Sequence, residues 1–385
     1  MTVTLGGAEI GRRCFVIAEA GVNHNKQISF AKQLIDIAKN AGADTIKFHA
    51  YDTDEVYIKE AEAPSYIKKN MKNDVSFYDM AKSLELTEQE LADIKLYCDQ
   101  TGIHFSCTPY GNYGIKLMNQ MGCDFFKISS SYLECTPFLK KLARIGKPLV
   151  LSTGMGDIQE VKQAISDVTS EGNHQLVVLH CTTSYPCPYS EANLNVIRTF
   201  IKELNVPIGY SDHTEGIIVP VLAAQLGAVV IEKHFTMDRN LEGPDHKASL
   251  ESAEFKKMID ALRYFEHTKK NLVECALELR DTFHAFELVG KSDEQVKELV
   301  AQILGTSTKH VTSSEQKVKQ QARLSIVSCI DIQKHTVITE DMLKYTRPGT
   351  GLSPRHYLDV IGKISLVDIP KNKLLTTSPQ GISYA

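Results

Sequence analysis

His213 and His234 occupy matching places, SDHT (211 to 214) and EKHFT (232 to 236), each at the end of a short apolar run. Two convergent neutral imidazoles make a metal site. With only two protein ligands, water and substrate oxygens must complete the shell, which suits an exchangeable Mn²⁺ or Mg²⁺ better than a closed structural zinc. The plainer alternative is a pair of imidazoles satisfied by hydrogen bonds. Lys47 and Lys127 also end apolar runs, where an ammonium is costly without an anion beside it. Thr108, Ser130, Ser152, Thr183 and Ser211 bring hydroxyls to the same rim. One such hydroxyl is an ordinary turn residue, but the set, with paired lysines, favours a small, multiply charged anion such as a phosphate or carboxylate. A Schiff base on either lysine is the sharper alternative. Glu19, with AGVNHN behind it, either holds a sugar hydroxyl, transfers a proton or pairs with Lys47 or Lys127. Asp245 in GPDHKAS (243 to 249) sits in a Gly-Pro turn suited to reaching across, and His246 beside it reads as structural.

The elements that must position these groups are eight runs: CFVIAEAG (14 to 21), DTIKFHAY (44 to 51), GIHFSCTP (102 to 109), DFFKISS (124 to 130), PLVLSTG (148 to 154), QLVVLHCT (175 to 182), PIGYSDHT (207 to 214) and VVIEKHFT (229 to 236). Parallel strands buried on both faces read as nearly unbroken apolar runs. Helical periodicity fills the intervals, as in 28 to 41 and 87 to 101, with Gly42 and Gly102 as stops. Regular β-then-α alternation predicts an α/β fold, a (β/α)8 TIM barrel over 1 to 267, in which residues just past the strand ends converge on one mouth. Residues 52 to 86, with Pro64 and many charges, predict a long lid or rim connection. Residues 268 to 321 read as a helical linker, and strand-like pieces return over 322 to 385 around the loop RPGTGLSP (347 to 354). So small a β-rich domain is marginal alone and gains from docking on the barrel or on a partner.

Composition excludes several classes. A formal charge of −4 argues against a nucleic-acid or membrane-surface binder, while 43% hydrophobic residues supply a sizeable core. The nine cysteines are scattered without a C-x-x-C pair, which predicts buried reduced thiols and a cytoplasmic setting. No apolar run approaches the ~20 residues of a membrane span. Phosphate loops, strand-linked dinucleotide motifs and G-x-S-x-G are absent, removing the main support for ATP, dinucleotide and serine-hydrolase chemistry.

FVIAEAGVNHN, FSCTPY, FFKISS, LVLSTGM, LHCTTSYP, IGYSDHTEG, EKHFTMDRNLEGPDHKASLE and TRPGTGLSP, in this order on eight strands, resemble the sialic acid synthases. Those enzymes condense phosphoenolpyruvate with N-acetylmannosamine or a related hexose, and the small domain is similar to their terminal antifreeze-like domain. The resemblance implies that His213 and His234 bind the metal. It implies that Lys47, Thr108, Lys127, Ser130, Ser152 and Ser211 hold phosphoenolpyruvate, with Thr183 where some members have Asn. Glu19, Tyr185 and Asp245 match residues that hold the amino-sugar acceptor. Arg347 matches an arginine that reaches a partner subunit's site and binds the acceptor's N-acyl group, implying a domain-swapped homodimer.

Two departures fall on the acceptor side. Members usually read K-F-Q where this chain has His49, and S-G-E where Tyr132 follows Ser130 and Ser131, with Glu134 displaced by two. The long linker is a third departure. The expected activity is condensation of phosphoenolpyruvate with an N-acyl mannosamine-type hexose. The rivals are a legionaminic or pseudaminic acid synthase acting on a diacetamido-trideoxy hexose, a related sugar-phosphate synthase, and a barrel that only binds a sugar.

Overall fold

The structure, a computed structural model, describes residues 3–59, 61–63, 67, 70 and 76–384. All eight runs form strands: β1 (Phe15–Gly21), β2 (Thr45–Ala50), β3 (His104–Pro109), β4 (Phe126–Ile128), β5 (Leu149–Ser152), β6 (Leu176–Cys181), β7 (Ile208–Asp212) and β8 (Val230–Thr236). Each pairs in parallel with the next, and β8 pairs with both β7 and β1, which closes the barrel. A short hairpin, Thr4–Leu5 with Ala8–Glu9, precedes β1, and its Leu5 packs with Phe15, Val177 and Val230 in a separate small cluster.

Helices follow the strands as the periodicity predicts. Ile28–Ala41 ends at Gly42 in the left-handed region (φ 89°), and Glu88–Thr101 starts from a Thr87–Glu90 capping box and ends at Gly102 (φ 72°). Between β2 and β3 the described residues include the helices Thr53–Val56 and Phe77–Leu84; Pro64 lies outside the described residues. One pair on the barrel is wholly enclosed: Lys233 Nζ donates to Asp212 Oδ2 at 2.5 Å and to the Thr214 carbonyl at 2.5 Å. The pairing holds β8 to the loop after β7, the two places that carry the histidines.

The segment after the last barrel helix, Ser252–Phe265, is helical at Leu272–Asp281, Asp293–Leu304 and Glu315–Ala322. Cys275, Leu279, Leu288, Val296, Val300 and Ile303 share one apolar core with the barrel. Glu287 also accepts the Ile217 and Ile218 N–H groups, each at 2.7 Å, at the start of the barrel helix Ile218–Gln225. The small domain contains β9 (Ser325–Ser328), paired antiparallel with β10 (Leu343–Thr346), and β11 (Leu375–Ser378), paired antiparallel with β12 (Gly381–Tyr384). Its core of Ile326, Ile332, Ile338, Leu343, Val360, Ile369, Leu375 and Ile382 is its own. None of the nine cysteines forms a disulfide, and all except Cys329 are buried. Among the described residues no helix is long and apolar enough to cross a membrane.

Candidate active site

Strand register brings the charged groups together. Glu19 of β1 lies opposite both Lys47 of β2 and His234 of β8, and His49 lies opposite Thr108 of β3. Because side chains alternate along a strand, Lys47 and His49 share the inward face of β2. The β1–β2 register shifts between Glu19 and Gly21; such bulges re-aim side chains beside active sites.

The two buried lysines have different partners. Lys47 Nζ lies 2.6 Å from Glu19 Oε2 and donates to Thr108 Oγ1 at 2.7 Å. Burial works against both charges of this pair, yet Lys47 and the His49 hydrogen bond hold the Glu19 carboxyl down to about 2, and Glu19 and Glu232 raise Lys47 above its ordinary value. Lys127 Nζ stands 3.2 Å from Glu232 Oε1, which also accepts the Ser211 hydroxyl at 3.0 Å. Here burial wins and lowers Lys127. An ammonium has three donors, and with only Glu232 and, at 3.5 Å, the Ile128 carbonyl beside it, Lys127 keeps a donor for an anion.

Ser152 Oγ, Thr183 Oγ1 and His234 Nδ1 are buried and have no hydrogen-bond partner among the described residues. A buried polar atom left unmade costs about 1–3 kcal/mol, so three around one cavity mark a place built for a polar ligand. Ser130 Oγ accepts the Gly154 N–H at 2.9 Å, drawing the loops after β4 and β5 together. The histidine rings lie 5.5 Å apart between centroids. His213 Nδ1 is 2.7 Å from the Thr182 carbonyl, which can only accept, so Nδ1 carries a proton and Nε2 is the nitrogen left to meet a ligand. Burial holds His234 well below the ordinary imidazole value, hence neutral. These two rings fit a divalent ion; among the described residues no group of three or more His, Cys, Asp or Glu converges to form a closed protein cage.

On the outer side, His49 Nε2 bonds Glu19 Oε1 at 2.9 Å and its ring meets Tyr110 edge-on at 5.3 Å. Tyr185 lies over His213, with ring centroids 4.1 Å apart. Burial, followed by the neighbouring Glu19 charge, raises the Asp245 carboxyl to about 7. Arg347 donates to Tyr57 Oη at 2.8 Å and to Ser131 Oγ at 3.0 Å, with its guanidinium carbon 5.2–5.9 Å from the rings of Tyr57, Phe77 and Tyr110. Within the single chain, Arg347 thus stands at the mouth of its own barrel.

Glu19, Lys47, His49, Thr108, Lys127, Ser130, Ser152, Thr183, Tyr185, Ser211, His213, His234, Asp245 and Arg347 all line this one cavity. Tyr132 does not, and the expectation that it meets the acceptor is corrected. A 3₁₀ turn over Ser130–Tyr132 points successive side chains a third of a turn apart. Ser130 and Ser131 face the cavity, while Tyr132 packs on Phe138 and accepts the Gly111 N–H at 2.9 Å. Glu134 is engaged by Arg323 and Arg355. Asn23 is likewise structural, donating to the Phe235 carbonyl, as is His246, bonded to Thr236. The sequence reading missed Glu232, Ser131, Tyr57 and Tyr110, which line the cavity. For Glu232 a signal existed: it lies two residues before His234 on the same face of β8.

A model of the NeuB family matches residues 34–274, and a SAF domain model matches residues 324–378. The chain is 34% identical to an N,N'-diacetyllegionaminic acid synthase of Campylobacter jejuni, covering 94% of this chain and 99% of that one. It is 29% identical to the human N-acetylneuraminate-9-phosphate synthase, covering 93% and 90%. The crystal structure of the spore coat polysaccharide biosynthesis protein SpsE of Bacillus subtilis superposes with a TM-score of 0.76 at 31% identity, covering 96% of each chain.

Proposed function

This chain belongs to the NeuB family, and we propose that it condenses phosphoenolpyruvate with an N-acyl mannosamine-type hexose to give a nine-carbon 2-keto sugar acid and phosphate. The observation that carries the proposal is the inner half of the mouth. There Lys127 has a donor to spare beside the unpartnered hydroxyls of Ser152 and Thr183, a combination suited to a phosphate and carboxylate on one small molecule.

In this reading C3 of phosphoenolpyruvate forms a bond to the aldehyde carbon of the open-chain sugar, whose oxygen takes a proton. Water adds at C2, and the C2–O bond to phosphate then breaks, leaving the 2-keto acid. Lys47, Lys127, Ser152 and Thr183 hold the anion and offset charge as phosphate departs. Glu19, fixed as a carboxylate, suits holding a sugar hydroxyl, whereas Asp245, near neutrality at pH 7, is the better proton donor to the acceptor oxygen. His213 and His234 would hold a divalent ion, Mn²⁺ or Mg²⁺, whose Lewis acidity polarises the aldehyde. Arg347 and Tyr185 bind the N-acyl end. The free, mostly buried thiols suit a cytoplasmic setting.

A second acceptor class, a diacetamido-trideoxy hexose as used by a legionaminic or pseudaminic acid synthase, is favoured by the outer wall. Val22, Val56, Phe77, Met80 and Leu84 line it, apolar surface that suits a deoxy methyl and a second acetyl group. Phosphate release is expected with N-acylated hexoses and not with the unacylated sugars. A higher kcat/KM for the diacetamido-trideoxy sugar than for N-acetylmannosamine selects the second class, and no release with any acceptor sinks both. Exchange of the small domain between subunits of a homodimer is also part of the proposal, since a neighbouring chain can offer the same arginine loop. Co-expressed Lys127→Ala and Arg347→Ala chains then regain turnover that neither has alone; no recovery places Arg347 permanently over its own barrel.

A further inference from the structure

Glu315, the first residue of the helix Glu315–Ala322, is completely buried, although it lies in the segment between the barrel and the small domain. Its Oε1 accepts two backbone N–H groups, from Met155 at 2.6 Å and from Thr183 at 2.7 Å, and its Oε2 accepts from Thr312 at 3.1 Å. Met155 and Thr183 belong to the loops after β5 and β6; the unpartnered hydroxyls are those of Ser152, the last residue of β5, and of Thr183 itself. A single carboxylate therefore ties together the two loops of the anion half.

Those loops need holding. Met155 is buried with φ of 60°, in the left-handed region that non-glycine residues adopt only when their surroundings over-determine it. Glu315 takes its N–H, and Arg323, just past the same helix, donates to its carbonyl at 2.9 Å. Gly154 beside it lies so close to the next loop that a Cβ there would come within 2.0 Å of Thr183 Oγ1. Lys309 adds a third tie, donating to the Cys181 carbonyl at 2.9 Å. The helix also forms part of the mouth itself, where Val318 and Ala322 line the cavity. Through the Gly349 N–H, which donates to the Gln320 carbonyl at 2.9 Å, it carries the loop of Arg347 as well.

We infer that Glu315 is a positioning residue for the anion half of the mouth. Its carboxylate fixes the loops after β5 and β6, next to Ser152 and at Thr183, in the geometry that receives phosphoenolpyruvate, and so couples seating of this helix to anion binding. The inference rests on the proposed function, because it names that substrate. Glutamine keeps one acceptor oxygen for Met155 and Thr183 but turns an NH₂ group toward the Thr312 N–H, so Glu315→Gln should retain part of what Glu315→Ala loses.

The test is calorimetric binding of phosphoenolpyruvate together with steady-state kinetics. Glu315→Ala should weaken binding and raise KM for phosphoenolpyruvate roughly tenfold or more, as expected for loss of a charge-assisted acceptor, and Glu315→Gln should do so less. The KM of the acceptor should stay within about threefold of wild type, because Glu315 bonds to no group that meets the sugar. Ser314→Ala loosens the same helix start, where Ser314 donates to Glu191 at 2.5 Å further along the connection after β6, while leaving the Glu315 bonds to Met155 and Thr183 in place, and should leave the phosphoenolpyruvate KM unchanged. If Glu315→Ala does not fold, Glu315→Gln carries the test. A wild-type chain that binds phosphoenolpyruvate while Glu315→Gln binds it equally well overturns the inference alone. Failure of the wild type to bind it at all removes the proposed function, and the inference with it.

Discussion

Lys127→Ala is expected to lower kcat by about 10³-fold or more, since loss of one preorganised donor at a centre of developing charge typically costs 10²- to 10³-fold and here the lost group is also a full charge in a dry site. Lys47 cannot take over. Two of its three donors are held by Glu19 and Thr108, so it meets the anion from where it stands and cannot move into the place of Lys127 without stranding a buried carboxylate. The same substitution should also destabilise the fold, because Glu232 would lose its ion-pair partner while remaining buried. Breaking a buried pair from one side costs about 3–5 kcal/mol. The double change Lys127→Ala with Glu232→Gln separates the two effects: much of the lost Tm should return, and turnover should not. If turnover returns with stability, Lys127 is a structural cation and the assignment of its role fails.

The barrel was legible because its signal is local. Each strand is buried on both faces, so Phe15–Gly21 or Leu176–Cys181 must be apolar almost throughout, and the helices announce their ends through Thr87, Gly42 and Gly102. The inner mouth was legible for the same reason: side chains alternate along a strand, and the inward positions at the strand ends meet in one opening. What stayed hidden depends on contacts across long stretches of chain. Glu315 reaches Met155 and Thr183 from far along the sequence, and nothing near it distinguishes a clamp from an ordinary helix-start acid. Tyr132 was misplaced because a 3₁₀ turn replaces strand alternation immediately after β4, and spacing alone does not reveal which of three successive residues turns away. Glu232 was visible in parity but masked by the expectation that both lysines await a ligand; the fold gives each a carboxylate of its own.

Incubation with a chelator is expected to abolish turnover, and added Mn²⁺ to restore it, while phosphoenolpyruvate still binds. The division follows from how the mouth is built. In the proposed reading Lys47, Lys127, Ser152 and Thr183 hold phosphoenolpyruvate without the help of the histidines. The acceptor half has no comparable electrophile. Arg347 is turned to Tyr57 and Ser131, and Asp245 supplies at most a shared proton, whereas a bound divalent ion lowers such a barrier by several kcal/mol. The imidazoles suit that task because burial keeps His234 neutral and the Thr182 carbonyl fixes a proton of His213 on Nδ1. His234→Ala should therefore reproduce the chelated state, with phosphoenolpyruvate affinity within about threefold of wild type and no rescue by Mn²⁺, as befits loss of a ligand rather than of the ion. Full activity in the chelator would falsify the metal assignment and leave the two rings as walls of the acceptor pocket.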